Sequence, residues 1–354
     1  MKKNRFEGRK KSIKMNFRFS SILFGSVIFC ALFVQKSSAQ YKPAGSNSER
    51  TDHPYITWVS QYPVKKDSAA KENVFKRVFE FLIGKDKANS MVRPVEVLAM
   101  NPSDFWVLDQ GSKTIFKVQK NKEDIPKPIR KKEGYFTSLV GACLLPGNEL
   151  LFTDSRLNKV FALREDQKNI GAFNDTIVFQ QPTGIAYSAA KDEVWVVETG
   201  AHRVSILNTR GELIKRIGSR GDENGQFNFP TSIWIDKGGD AYVVDAMNFR
   251  VQIFNKDGAF VSTFGTAGDA SGFFARPKGI ATDTYGNIYV ADALFHVVQI
   301  FDRAGNFLYS FGKQGREKEE FWMPSGIYID SKNYIYVADS YNSRVQVFQL
   351  INGG

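Results

Sequence analysis

Two rows of ionisable residues recur along this chain at a fixed offset. The acidic row is Asp109, Asp154, Glu198, Asp245, Asp292 and Asp339, and five residues after each stands Thr114, Lys159, Arg203, Arg250, Val297 or Arg344. An acid and a base at that spacing in one tight loop pair with each other or cap backbone N–H groups, which fixes the loop's shape. The six acids are therefore assigned a structural role in their loops. The sharper chemistry is a rim on which the basic groups grip a polar or peptide ligand. Its candidates are Lys113, Lys159, His202, Arg203, Arg250, His296, Tyr341 and Arg344, joined by Glu96 and Lys278 where the repeats begin. Glu96 stands where other repeats have Gly, and pairing with Lys278 across a channel mouth is its plainest role.

Metal chemistry finds fewer supports. The three histidines are His53, His202 and His296, and the last two occupy the same place two repeats apart. Three imidazoles on alternating repeats would suffice for zinc, but the matching place in the first repeat is Lys113, so the ligand count fails. Glu96 is a single carboxylate, thin for calcium, which takes six to eight oxygens. There is no Ser-His-Asp order, phosphate-cradling Gly loop, Cys-His metal spacing or haem-attachment sequence. No cofactor is expected. Cys143, between Ala142 and Leu144, reads as a small buried apolar residue.

The elements that carry these residues are strands. Pro230-Thr-Ser-Ile-Trp-Ile-Asp236, Pro277-Lys-Gly-Ile-Ala-Thr-Asp283 and Pro324-Ser-Gly-Ile-Tyr-Ile-Asp330 follow one another at a spacing of 47 residues. Each is followed by a second run (Ala241–Asp245, Ile288–Asp292, Ile335–Asp339) and a third (Val251–Phe254, Val298–Phe301, Val345–Phe348). Two add a fourth, Phe260–Gly265 and Phe307–Gly312. β-Branched and aromatic runs between Asp, Gly and Asn turns predict four-stranded antiparallel meanders. The unit also begins at Pro182, more weakly at Ser138, and at Pro94, giving six units over 93–350. Repeats of this length and strand content predict an all-β, six-bladed propeller, because each small sheet buries its faces only against its neighbours. The last unit lacks a fourth strand, and the alternating run at about 55–61 is expected to supply it and close the ring. Between them, Val74, Phe75, Val78, Phe79 and Leu82 fall at helical spacing, predicting one amphipathic helix over about 70–83.

Pro-x-Gly-Ile, Ile-Tyr-Val-Ala-Asp and Asn-x-Arg-Val-Gln-x-Phe, read from Pro324 to Phe348, resemble the NHL repeat. The chain is similar to exported bacterial six-bladed NHL proteins, whose activity is generally not established. The resemblance implies the fold and no reaction, and the reading adopted on it is a binding or scaffolding module. A related enzyme group, the peptidyl-hydroxyglycine amidating lyases, has zinc-binding His after the Pro of alternate repeats. Here those places hold Val95, Thr183, Thr231, Lys278 and Ser325, while Tyr341 falls where that family has a catalytic Tyr. Calcium lactonases on six-bladed propellers are the other enzymatic comparison. A metal-assisted lyase or hydrolase at the axis is the alternative to binding.

The formal charge of +11, from 48 Lys and Arg against 37 Asp and Glu, suggests an anionic partner until it is placed along the chain. Nine of the bases and one of the acids lie in residues 1–39, where a basic stretch precedes the 14-residue apolar run Ser21–Val34 and the small residues Ser37-Ser38-Ala39. That is the layout of a signal peptide cut after Ala39, with an alternative start at Met15, and the run is shorter than the roughly 20 residues of a spanning helix. The chain beyond the leader is near +3, too balanced for a nucleic-acid stripe. The expectation is an exported monomer, periplasmic or extracellular, that binds an envelope or extracellular protein, peptide or small ligand through the acid-row rim. Nucleic acid and integral membrane roles are not expected, and the opposite rim, with Asp236 and Asp283, is expected to be silent.

Overall fold

The computed structural model describes residues 55–63, 90–119, 127–129, 136–163, 170–174 and 176–351. The leader and the helix expected over 70–83 lie outside the described residues. Among those described, 24 strands, numbered β1–β24 along the chain, form six four-stranded antiparallel sheets. The chain is a six-bladed β-propeller.

The innermost strands are β2 (Pro94–Asn101), β6 (Leu139–Leu144), β10 (Pro182–Ser188), β14 (Pro230–Ile235), β18 (Pro277–Thr282) and β22 (Pro324–Ile329). Each opens at the Pro (Leu139 in β6), where an edge of the sheet needs no N–H donor. The second strands are the most apolar: β15 (Ala241–Asp245), β19 (Ile288–Asp292) and β23 (Tyr334–Asp339) are almost wholly buried because blades cover both of their faces. The outermost strands face solvent, as Leu213–Ile217 does over most of its length.

Six apolar clusters fill the ring, one at each blade junction; the cluster of Val97, Phe105 and Val107 with Tyr336, Val345 and Val347 joins the first blade to the sixth. A buried residue three places before each inner strand enters these clusters: Met91, Phe136, Phe179, Phe227, Phe274 and Phe321. Gly265, at φ +92°, leaves the space for one of them, since a Cβ there would meet the Phe274 ring at 2.3 Å. The ring is sealed by β1 (Tyr55–Tyr62), which pairs antiparallel with β24 (Arg344–Ile351) from Tyr55 opposite Ile351 to Tyr62 opposite Val345. Trp58 Nε1 donates to Gln346 Oε1 at 3.1 Å and Arg344 Nη1 to Gln61 Oε1 at 3.0 Å, which fix the register.

Candidate functional site: an axial cavity opposite the acid row

The acid row lies on the rim where second strands loop into third strands and the inner strands are entered, here termed the loop rim. All six acids are buried, and each accepts from backbone N–H groups just before its blade's inner strand. Asp109, for example, takes the amides of Val92 and Arg93 at 2.7 and 2.9 Å. Three acids also hold their own arginine: Glu198 with Arg203 at 3.0 Å, Asp245 with Arg250 at 2.9 Å, Asp339 with Arg344 at 2.7 Å. Burial leads in pushing the Asp339 carboxyl above its ordinary value, against the lowering effect of Trp322 N–H, Asn342 and Arg344.

These bonds change the reading of the cations. Arg344 Nη2 donates to the carbonyls of Glu317 and Glu320, and Arg250 Nη2 to those of Glu223 and Gln226, so these guanidinium forks are spent inside the fold. Gln252 and Gln346, two residues on, hold the same connecting loops. The histidines act between blades: Phe229 N–H donates to His202 Nδ1 and Met323 N–H to His296 Nδ1, both at 3.1 Å. Both imidazoles stand on left-handed residues, φ 53° and 60°. Burial, only partly opposed by Asp292 and Asp339, holds the His296 pKa below the usual imidazole value. Lys113 and Lys159 are exposed on the loop rim, and Tyr341, 54% exposed, sits 6.2 Å from the Trp322 ring. The loop-rim candidates thus divide into an internal framework and separate surface groups.

An open cavity lies on the axis. The six inner strands enclose a cavity of about 540 Å³ that opens at the opposite rim, between the turns joining inner to second strands. Nearest the loop rim the ring narrows: the third residue of the inner strands is Gly141, Gly184, Gly279 or Gly326 in four blades, and a Cβ at Gly279 would meet Ser325 O at 2.5 Å. The other two places are Glu96 in the first blade and Ser232 in the fourth, across the axis from each other. The Glu96 carboxyl lies over Gly326, whose missing Cβ would fall 2.7 Å from Oε1. Its one hydrogen bond is from the Val97 amide at 3.0 Å. Burial raises its pKa to about 8, the Val97 bond lowering it slightly. The expected pairing of Glu96 with Lys278 is absent: among the described residues neither has an ion-pair partner, and the Lys278 amine is held low by burial and by Arg276.

Two residues further along the inner strands the wall turns aromatic. Trp234 and Tyr328 meet edge to face at 5.4 Å across the blade between them, where the facing residue is Ala281. Trp234 Nε1 donates to Thr282 Oγ1 at 2.8 Å, which fixes the indole. At the mouth Asp236, Asp283 and Asp330 each accept a tyrosine hydroxyl, from Tyr242, Tyr289 and Tyr336, at 3.1 Å. The rim expected to be silent therefore carries the opening. Trp234, Tyr328 and Ser232 were not singled out from sequence, although Ser232 stands at a place where four repeats have Gly, and Trp234 and Tyr328 at one where two repeats have Ala. Cys143 lines the same wall as a buried free thiol that burial pushes up. Among the described residues no three His, Cys, Asp or Glu side chains converge as a metal site.

The NHL repeat profile matches residues 179–207 and 321–348, in the third and sixth blades. The chain carries NHL repeats. In the sixth blade the match spans Asp339, Arg344 and Gln346 of the loop-rim framework as well as Ile327, Tyr328 and Ile329 of the cavity wall. No curated protein sequence matches this propeller. Among solved structures it is similar to an auxiliary nutrient binding protein from Bacteroides thetaiotaomicron, at 13% identity and TM-score 0.59, covering 74% of this chain and 70% of that one. A protein of unknown function from the same organism gives the same values. A catalytically inactive virginiamycin B lyase from Staphylococcus aureus with quinupristin gives 13% identity, TM-score 0.55 and coverage of 74% and 97%. At these identities the likeness establishes the propeller fold.

Proposed function

We propose that this NHL propeller is an exported binding protein that holds a small molecule in its axial cavity. The observation that carries the reading is the open cavity itself, about 540 Å³, with an aromatic pair and a carboxyl that has no partner side chain. That volume and composition suit a compact organic ligand. A nutrient-binding protein among the structural neighbours supports a binding role on this architecture. The basic leader with its short apolar run supports export, and among the described residues no helix is long and apolar enough to cross a membrane.

The test is retention of small molecules by the purified mature chain, compared with Ala186→Phe, which places a ring on the cavity wall. Mass spectrometry of the denatured eluate should find compounds retained by the wild type and missing from the variant, with circular dichroism unchanged. Equal retention by both would place binding elsewhere.

A further inference from the structure

We propose that the cavity is selective for organic monocations with a flat apolar body, the ammonium or amidinium group lying against the Glu96 carboxyl and the body beside Trp234 and Tyr328. The inference rests on the cavity being the binding site and adds the class of its ligand. Three features carry it. Glu96 reaches the axis with only its neighbour's amide as a partner, so a ligand is left to supply the carboxyl's further polar partner. The aromatic pair stands next along the strands towards the mouth, and the faces of Trp and Tyr attract cations and flat groups alike. The mouth is acidic: Asp236, Asp283 and Asp330 line it against Lys237 and Arg303, and Arg303 is tied to Asp240. An anion would meet three mouth carboxylates, with Lys237 as the one mouth base not tied to an acid among the described residues.

The chemistry of Glu96 adds a signature. Burial keeps its carboxyl protonated up to about pH 8, so a ligand that arrives as a cation displaces that proton. The other titratable groups of the wall, Tyr187, Tyr328 and Cys143, are all pushed upward, and Lys278, towards the loop rim, is held low by burial. The mouth carboxylates are occupied by tyrosine hydroxyls and turn amides. Cation affinity is then expected to fall as pH drops below 8, approaching about tenfold per unit for one displaced proton.

Calorimetry with phenethylammonium, 2-phenylethanol and 3-phenylpropanoate at pH 8 tests this, using the wild type, Glu96→Gln, and Glu96→Gly, which copies the residue of four sibling strands. The wild type should bind the cation at least tenfold more tightly than the alcohol and release a proton at pH 7. Both variants should lose that preference and still take the alcohol. An alcohol or carboxylate bound as tightly as the amine, or a preference that survives Glu96→Gln, overturns the cation assignment and leaves the cavity standing. Binding of none of the three at tens of millimolar overturns the cavity as well.

Discussion

At the residue scale, the recurrent charges and the exceptional ones do different work. Arg344 is only 4% exposed and its acid is wholly buried, so Arg344→Met leaves a carboxylate without its cation. Loss of one partner of a buried pair destabilises by about 3–5 kcal/mol. Urea denaturation should show that for Arg344→Met and a smaller loss for Arg203→Met, whose acid keeps Gln180 N–H and Ser205 and whose side chain is 25% exposed. His296 has a depressed pKa, so the unfolded chain takes up its proton first: stability is intact above about pH 6.5 and declines as pH falls towards the folded value. In the second blade Asn158 Oδ1 accepts the Gln181 amide in the same way, at 2.9 Å. Accordingly His296→Asn should match the wild type at pH 8 and lose less stability between pH 7 and 5.5; parallel curves would refute the assignment. Glu96 runs in the opposite sense. Its raised pKa stabilises the fold at low pH and that contribution disappears as pH rises through about 8, so Glu96→Gln should gain on the wild type from pH 5 to 8.

At the element scale, the strands were legible because their chemistry repeats. Three blades share nearly the same letters, and the alternating run at Tyr55 reads as an edge strand from its pattern alone. Its partner β24 would otherwise leave a long apolar edge open to other chains. Removal of residues up to Tyr62 should lower the melting temperature and produce dimers or aggregates on gel filtration, whereas unchanged melting would deny β1 its closing role. Less legible were the residues three places before each inner strand, because Phe227, Phe274 and Phe321 lie in connecting loops where a pattern search expects no core. The pairing of His202 and His296 with the next blade was invisible for a related reason: each contact spans 27 residues and depends on a backbone amide, which carries no letter.

At the scale of the whole molecule, symmetry explains both what the sequence revealed and where it misdirected. A ring of similar blades repeats its structural chemistry, so the most regular charges, the acids and arginines of the loop rim, belong to the framework. A ligand on the axis meets one residue from each blade and needs them to differ. The informative positions are therefore the breaks in the pattern, Glu96 and Ser232 among glycines, Trp234 and Tyr328 where two other blades have Ala186 and Ala281. Glu96 was visible as a break, but its environment was not, because Gly326 beside it lies 230 residues away in sequence. The five tryptophans sample this division: Trp234 in the cavity, Trp322 on the loop rim, Trp58 on the closing strand, Trp106 and Trp195 in the core. The most direct measurement is the set of indole ¹H–¹⁵N resonances of the mature chain during titration with phenethylammonium. The account predicts that the Trp234 signal shifts and saturates while those of Trp322 and Trp58 stay in place. A saturating shift at Trp322 with Trp234 unmoved would contradict it and return the binding surface to the loop rim.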